Sequence, residues 1–326
     1  MTEQRIKPIF IFSLPRSGST LLQRILATSE DISTTSEPWI LLPFLYALKE
    51  KGVYAEYSHF GVYKALQDLC KEMSNGEEDY LHAVRTAMLQ IYDTLAGENE
   101  KYFLDKTPRY TLIANELEKT FPDDKFIYLW RNPLSIVASI VETFYDGKWK
   151  IFHSKVDLYD GMENLLSTFE SHSGRRFAIK YEDLVVDPES SLVRLERYLN
   201  LEDSLNLDTF STVKLKGLMG DPTGIKKYRS ISTKSLDGWK SVISNPWRKH
   251  WCRRYLEWIG EERLSFMGYE LKELLAELDR APNRWMGVVP DFFYSLYGEL
   301  YCFFEFKIIK DKIWGKLKNR KMRKHD

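Results

Sequence analysis

Cysteine and histidine are scarce in this chain, and what there is lies scattered. Cys70, Cys252 and Cys302 are three in number and far apart. No CxxC pair or Cys/His cluster exists to hold a metal, and the odd count gives no disulfide framework. Net charge is missing too: 47 Lys and Arg balance 47 Asp and Glu, so no global field draws the chain to nucleic acid. No repeat, low-complexity tract or unbroken apolar run long enough for a membrane helix occurs. The opening residues are polar and run straight into an apolar segment, which leaves no room for a signal peptide or anchor. The expectation from these absences is a cytoplasmic protein working without a metal. At 326 residues, with 44% hydrophobic and 29% charged, the chain can bury a full core.

Its most informative stretch is Ile9-Phe-Ile-Phe-Ser-Leu-Pro-Arg-Ser-Gly-Ser-Thr-Leu-Leu22. An apolar strand breaks at Pro15 and Gly18, then resumes at helical spacing through Leu21, Leu22, Ile25 and Leu26. Strand, tight small-residue loop and helix start form the geometry in which backbone N–H groups cradle a phosphate. The loop lacks the Gly-Lys-Ser/Thr ending of a Walker A motif, so Mg-ATP is not the expected anion. A second such unit follows. Residues 125–130 read as a strand ending in Arg131, and Asn132-Pro133 opens a helix that carries Ser139. A phosphate between them can take a fork from Arg131 and a hydroxyl donor from Ser139.

Strand candidates 9–14, 102–105, 126–131 and 176–181, with a shorter one at 33–35, alternate with helical patterns and predict parallel βαβ units. Residues 38–97 read as helical with polar breaks near 52–58 and 74–78. Further helical patterns cover 107–121, 145–173, the stretch after Asp187-Pro188, 247–259 and 272–279. Residues 214–240 read as a loop rich in Gly and Lys. Nine aromatics crowd residues 285–306, interrupted by Asp291, Glu299 and Glu305, and nine Lys or Arg against two Asp follow in 307–326. That pattern fits either a segment making peripheral contact with the inner face of a membrane or an aromatic helix packed on the core.

On the two loop motifs the chain resembles the sulfotransferases that use 3′-phosphoadenosine 5′-phosphosulfate (PAPS), over roughly residues 5–270. The resemblance implies an α/β, P-loop-NTPase-like three-layer sandwich with a central parallel sheet of about five strands. It implies a sulfotransferase domain at 1–280 and an extension at 281–326. The implied reaction moves a sulfuryl group from PAPS to a hydroxyl, or an amine, of an acceptor that is a carbohydrate, a lipid-linked or a small molecule. Ser17, Gly18, Ser19 and Thr20 would hold the 5′-phosphate, and Arg131 and Ser139 the 3′-phosphate. Arg16 and Lys106, the latter in Asp105-Lys-Thr-Pro108, would neutralise the leaving phosphate. Glu37, placed 21 residues after Arg16 as in tyrosylprotein members, would be the general base, with His153 as the reserve. Tyr181, in Tyr181-Glu-Asp-Leu184, would line the adenine pocket. Lys226, Lys227 or Arg229 would add a contact to the 3′-phosphate, and Thr223 one to the donor. Two rivals stay open: a small-molecule kinase on a similar fold, and a non-catalytic protein bound to a membrane surface.

Overall fold

The computed structural model describes residues 5–50, 58–171, 176–217, 231–304 and 306. Five strands form one sheet in the order β2-β3-β1-β4-β5. They are β1 (Lys7–Phe12), β2 (Ile32–Thr34), β3 (Tyr102–Asp105), β4 (Lys125–Trp130) and β5 (Arg176–Lys180). Every pairing is parallel. Parallel strands need helical crossovers, and these cover both faces of the sheet.

Side-chain alternation sorts the two faces by type. On one, Ile9, Ile11, Ile127, Leu129 and Ile179 pack with Leu21, Leu22 and Ile25 of α1 (Ser19–Leu26). On the other, Phe10, Phe12, Phe103, Phe126, Tyr128 and Trp130 form an aromatic layer. Helices α2 (His59–Glu72) and α3 (Glu77–Leu95) precede β3, and α4 (Ala114–Thr120) precedes β4. Helix α5 (Pro133–Tyr145) follows β4, and α6 (Met162–Ser171) leads to β5. Helix α7 (Pro188–Leu199) starts at Asp187, whose side chain accepts from Ser190 N as an N-cap.

Strand β3 has its expected bounds. The others begin or end one or two residues early, for one reason: the polar residue that closes each apolar run already belongs to the turn. Ser13 and Leu14 enter the loop after β1. Arg131 precedes the Asn132 cap of α5, and Tyr181 opens a short helix, Tyr181–Val186. Residues 107–121 are a 3₁₀ stretch, Pro108–Ile113, before α4. Residues 151–171 pass through 3₁₀ and π turns before α6.

Beyond the sheet, α8 (Pro246–Ile259), α9 (Leu271–Arg280) and α10 (Val288–Phe303) complete the described chain. Helix α10 docks on α8 through polar groups and an edge-on contact between Phe292 and Trp247. Asp291, 2% exposed, accepts from Asn245 Nδ2 at 2.7 Å and from Arg248 Nε at 2.6 Å. Trp247 Nε1 donates to Ser295 Oγ at 2.8 Å. At Gly298 a Cβ would sit 2.7 Å from the Phe152 ring, so glycine is what permits this approach. Removing one member of a buried ion pair strands the other's charge. Asp291→Ala should therefore lower unfolding free energy by about 3 kcal/mol in a urea titration. A loss below about 0.5 kcal/mol would show that Arg248 does not depend on this carboxylate.

Candidate active site

The carboxyl ends of β1 and β4 lie side by side at the centre of the sheet, where strand order switches direction. After β1 the chain takes two left-handed residues in three, Arg16 at φ 70° and Gly18 at φ 93°. This folds the loop tightly, and Gly18 O then receives the first amides of α1, from Leu21 at 2.9 Å and Leu22 at 3.2 Å. The first N–H groups of a helix have no partner within it and point back into such a loop. Gly18 is required for a second reason: a Cβ there would lie 2.4 Å from the Tyr181 ring.

Arg131 leaves β4 and ties the two units together. Its Nη1 donates to Arg16 O at 2.7 Å and its Nη2 to Ser235 O at 3.3 Å. Its guanidinium sits 4.4 Å from the Tyr181 ring centroid, within cation–π range. Arg16 Nε donates in turn to Ser139 Oγ at 3.3 Å, on the second turn of α5. Arg16, Arg131, Ser139 and Tyr181 thus line one cavity of about 370 Å³, together with Ser135, Ser235 and Trp239. The two loops read separately from the sequence share one space. The Tyr181 ring, read as an adenine contact, is packed on Gly18 and Arg131, and its hydroxyl lies 2.9 Å from Ser235 Oγ.

Buried polar atoms test whether an anion fits. Ser17 Oγ, Arg131 Nε and Ser135 Oγ are buried and have no hydrogen-bond partner among the described residues. Such orphans cost free energy unless a ligand or water satisfies them. Donors of this kind, with two arginines, suit a doubly phosphorylated ligand.

A second group sits at the ends of β2 and β3. Lys106 Nζ donates to Glu37 Oε1 at 2.7 Å, and Trp39 Nε1 donates to Glu37 Oε2 at 3.2 Å. The side chains of Lys106 and Glu37 are 2% and 12% exposed, so solvent screens the pair little. The Glu37 segment is held from three directions. Gln23 Nε2, on α1, donates to Thr34 Oγ1 and Thr35 O at 2.9 and 2.8 Å. Ser36 N donates to Lys216 O at 2.7 Å. Trp39, at φ 60°, takes a left-handed turn, and Thr107 Oγ1 accepts from its N at 3.4 Å.

Beneath Lys106, Asp105 is fully buried. Its Oδ2 accepts from Tyr92 Oη at 2.7 Å and Tyr110 Oη at 3.0 Å. Burial pushes its carboxyl up to about 6, against these hydrogen bonds and the Lys106 charge. Tyr92 and Tyr110 are raised well above the ordinary phenol value by burial and by Asp105. No sequence signal pointed to Gln23, Ser235 or the two tyrosines. Ser135 alone left a trace, one turn before Ser139 on the same helix face. His153 lies away from both groups, against Phe152, Tyr145 and Tyr301. Lys226, Lys227, Arg229 and Thr223 lie outside the described residues.

Known proteins resemble this chain in sequence. The model of the family described as “Sulfotransferase family” matches residues 8–204. Nodulation protein NoeE of Sinorhizobium fredii (strain NGR234) is 25% identical over 291 residues, covering 80% of this chain and 65% of the relative. Protein-tyrosine sulfotransferase 1 of Danio rerio is 26% identical over 197 residues, covering 59% of this chain and 53% of the relative. The chain thus spans just under two thirds of the first relative and about half of the second. Among solved structures, a sulfotransferase domain from the curacin biosynthetic pathway superposes with a TM-score of 0.51 at 24% identity. That match covers 73% of this chain and 91% of the domain, and it shows a common fold.

Asp105 gives the site a pH signature. Its folded value, about 6, exceeds the 3.8 of an ordinary Asp, so folding favours the protonated form. That stabilisation is complete below about pH 4 and is lost as pH rises through about 6, a change on the order of 3 kcal/mol. Between pH 4 and 7 the stability of the natural chain should fall by that amount relative to Asp105→Asn in urea titrations. Parallel curves for the two proteins would contradict the assignment.

Proposed function

From the premise that this chain belongs to the sulfotransferase family, we propose that it is an enzyme moving a sulfuryl group from PAPS to a hydroxyl of an acceptor. The observation that carries the reading is the convergence of Arg16, Arg131, Ser139 and the unpartnered Ser135 hydroxyl on one cavity at two strand ends, with a second unpartnered hydroxyl, Ser17, beside Arg16 in the first loop. A nucleotide with phosphates on both sides of its ribose calls for two such cradles in one space. The donor supplies an activated sulfuryl group whose departure leaves negative charge on the 5′-phosphate.

The chain's own residues meet three needs. The loop from Ser17 to Thr20 directs backbone N–H groups and hydroxyls at the 5′-phosphate. Arg131 and Ser139 bind the 3′-phosphate, with Lys226 and Lys227 as further contacts from the 214–240 segment. Arg16 and Lys106 supply fixed positive charge where the leaving oxygen becomes negative. Glu37 takes the acceptor's hydroxyl proton as the new oxygen–sulfur bond forms and the old one breaks. Lys106 and Trp39 hold both carboxylate oxygens of Glu37, so the base is aimed before the acceptor arrives. The acceptor is a hydroxyl-bearing carbohydrate, lipid-linked or small molecule. The relatives' names span nodulation and protein tyrosine and do not narrow that choice.

The test separates binding from chemistry. Calorimetric titration with adenosine 3′,5′-bisphosphate should give saturable binding, and ATP-Mg should not compete at equal concentration. Arg131→Ala should raise the bisphosphate Kd about 10- to 100-fold, the range for a lost charged hydrogen bond. Glu37→Gln should leave that Kd within about twofold while lowering sulfuryl transfer about 10²- to 10⁴-fold. Preference for ATP-Mg, or full transfer activity in Glu37→Gln, would refute the assignment.

A further inference from the structure

Helix α10 carries large apolar side chains on both of its faces. The face it turns to the body mixes polar and small residues, Asp291, Ser295 and Gly298, with the rings of Phe292, Tyr297 and Tyr301, which pack against Trp247 and Phe152. The face it turns to solvent carries Val289, Phe293, Leu296, Leu300 and Phe303, between 49% and 81% exposed. These positions recur every three or four residues, so they form one continuous apolar stripe along the helix. Trp285 and Met286, 76% and 83% exposed, extend it beyond the helix start. A stripe of this length and composition on a soluble surface marks an interaction site.

Charge decides what covers it. The twenty residues that follow, 307–326, hold nine Lys or Arg and two Asp. Along α10 both acidic side chains already have cationic partners: Asp291 pairs with Arg248, and Glu299 with Lys155 at 2.7 Å. A second copy of the chain docked stripe to stripe would cover the apolar residues but would only add the same basic sequence again. An anionic bilayer satisfies both features at once, taking aromatic and aliphatic side chains at its interface and basic ones among its headgroups. The base of the stripe also borders a cavity of about 710 Å³ between α8 and α10. Its walls include Trp247, Trp251 and Phe292, and Lys155 and Arg254 contribute cations.

We propose that the outward face of α10 docks the protein on a membrane surface, one made anionic to suit the basic composition of the sequence that follows. Aromatic rings run from this helix to the donor cavity. Tyr301 on α10 lies 4.8 Å from the His153 ring, which lies 5.9 Å from Tyr145 at the end of α5. The adjacent Phe144 lies 5.9 Å from the Arg16 guanidinium. The surface and the donor cavity are otherwise separate, so each can be tested without the other.

The experiment is co-sedimentation of the full chain with vesicles of phosphatidylcholine alone or with 30% phosphatidylglycerol. Binding should be at least about 10-fold tighter to the anionic vesicles and should weaken at least about 10-fold in 0.5 M NaCl. The double variant Phe293→Ser with Phe303→Ser changes only exposed side chains, and should lose at least about 10-fold in vesicle binding. Its affinity for adenosine 3′,5′-bisphosphate should stay unchanged, which reports an intact fold. The variant Lys316→Gln with Lys318→Gln, Lys321→Gln and Lys324→Gln should lose the preference for anionic vesicles. Absence of vesicle binding, or binding indifferent to the two Phe substitutions, overturns the proposal. So does a dimer in light scattering that those substitutions convert to monomer, since the stripe would then belong to a second copy.

Discussion

All five strands run the same way, so their carboxyl ends and the turns that follow are forced onto one edge of the sheet. That constraint gathers residues separated by more than 140 positions in sequence. Glu37 follows β2, Lys106 follows β3, the 13–18 loop follows β1, Arg131 follows β4 and Tyr181 follows β5. A buried parallel sheet tolerates no slip in register without exposing one of its two apolar layers. The relative heights of these four residues and the loop are thereby held by the packing of Ile9, Phe10, Ile127 and Tyr128 rather than by contacts within the site.

Cross-links then convert neighbourhood into geometry. Arg131 hydrogen-bonds the backbone of the β1 loop, and Arg16 of that loop reaches Ser139 on the helix after β4. Each loop is part of the other's wall. On the far side of β1, Gln23 performs the same service for β2, and Asp105 with Tyr92 and Tyr110 underpins Lys106. The cost is a buried carboxyl and several unpartnered polar atoms, which is the kind of local expense that functional sites carry.

What could be read from the sequence was local. The small-residue loop after an apolar run, the Asn132-Pro133 helix start and the Asp187 cap are each signals within a few residues. Strand β3 emerged with its bounds because Leu104 and Asp105 mark a sharp change from apolar to charged. The other strand ends slipped because Arg131 and Tyr181 close an apolar run yet serve the next element. Gln23, Ser235 and Tyr92 were invisible because their roles exist only through partners 11, 54 and 13 residues away. The C-terminal aromatics announced themselves as composition. That Asp291 points inward and Phe293 outward followed from tertiary packing, since helical periodicity alone marks two faces without saying which is buried.

The most direct test of the central claim is a crystal structure with adenosine 3′,5′-bisphosphate bound. The account predicts one phosphate within hydrogen-bond distance of Ser17 and the 17–20 amides, and the other against Arg131 and Ser139. A nucleotide bound with either phosphate turned away from these groups, or seated elsewhere on the molecule, would contradict it.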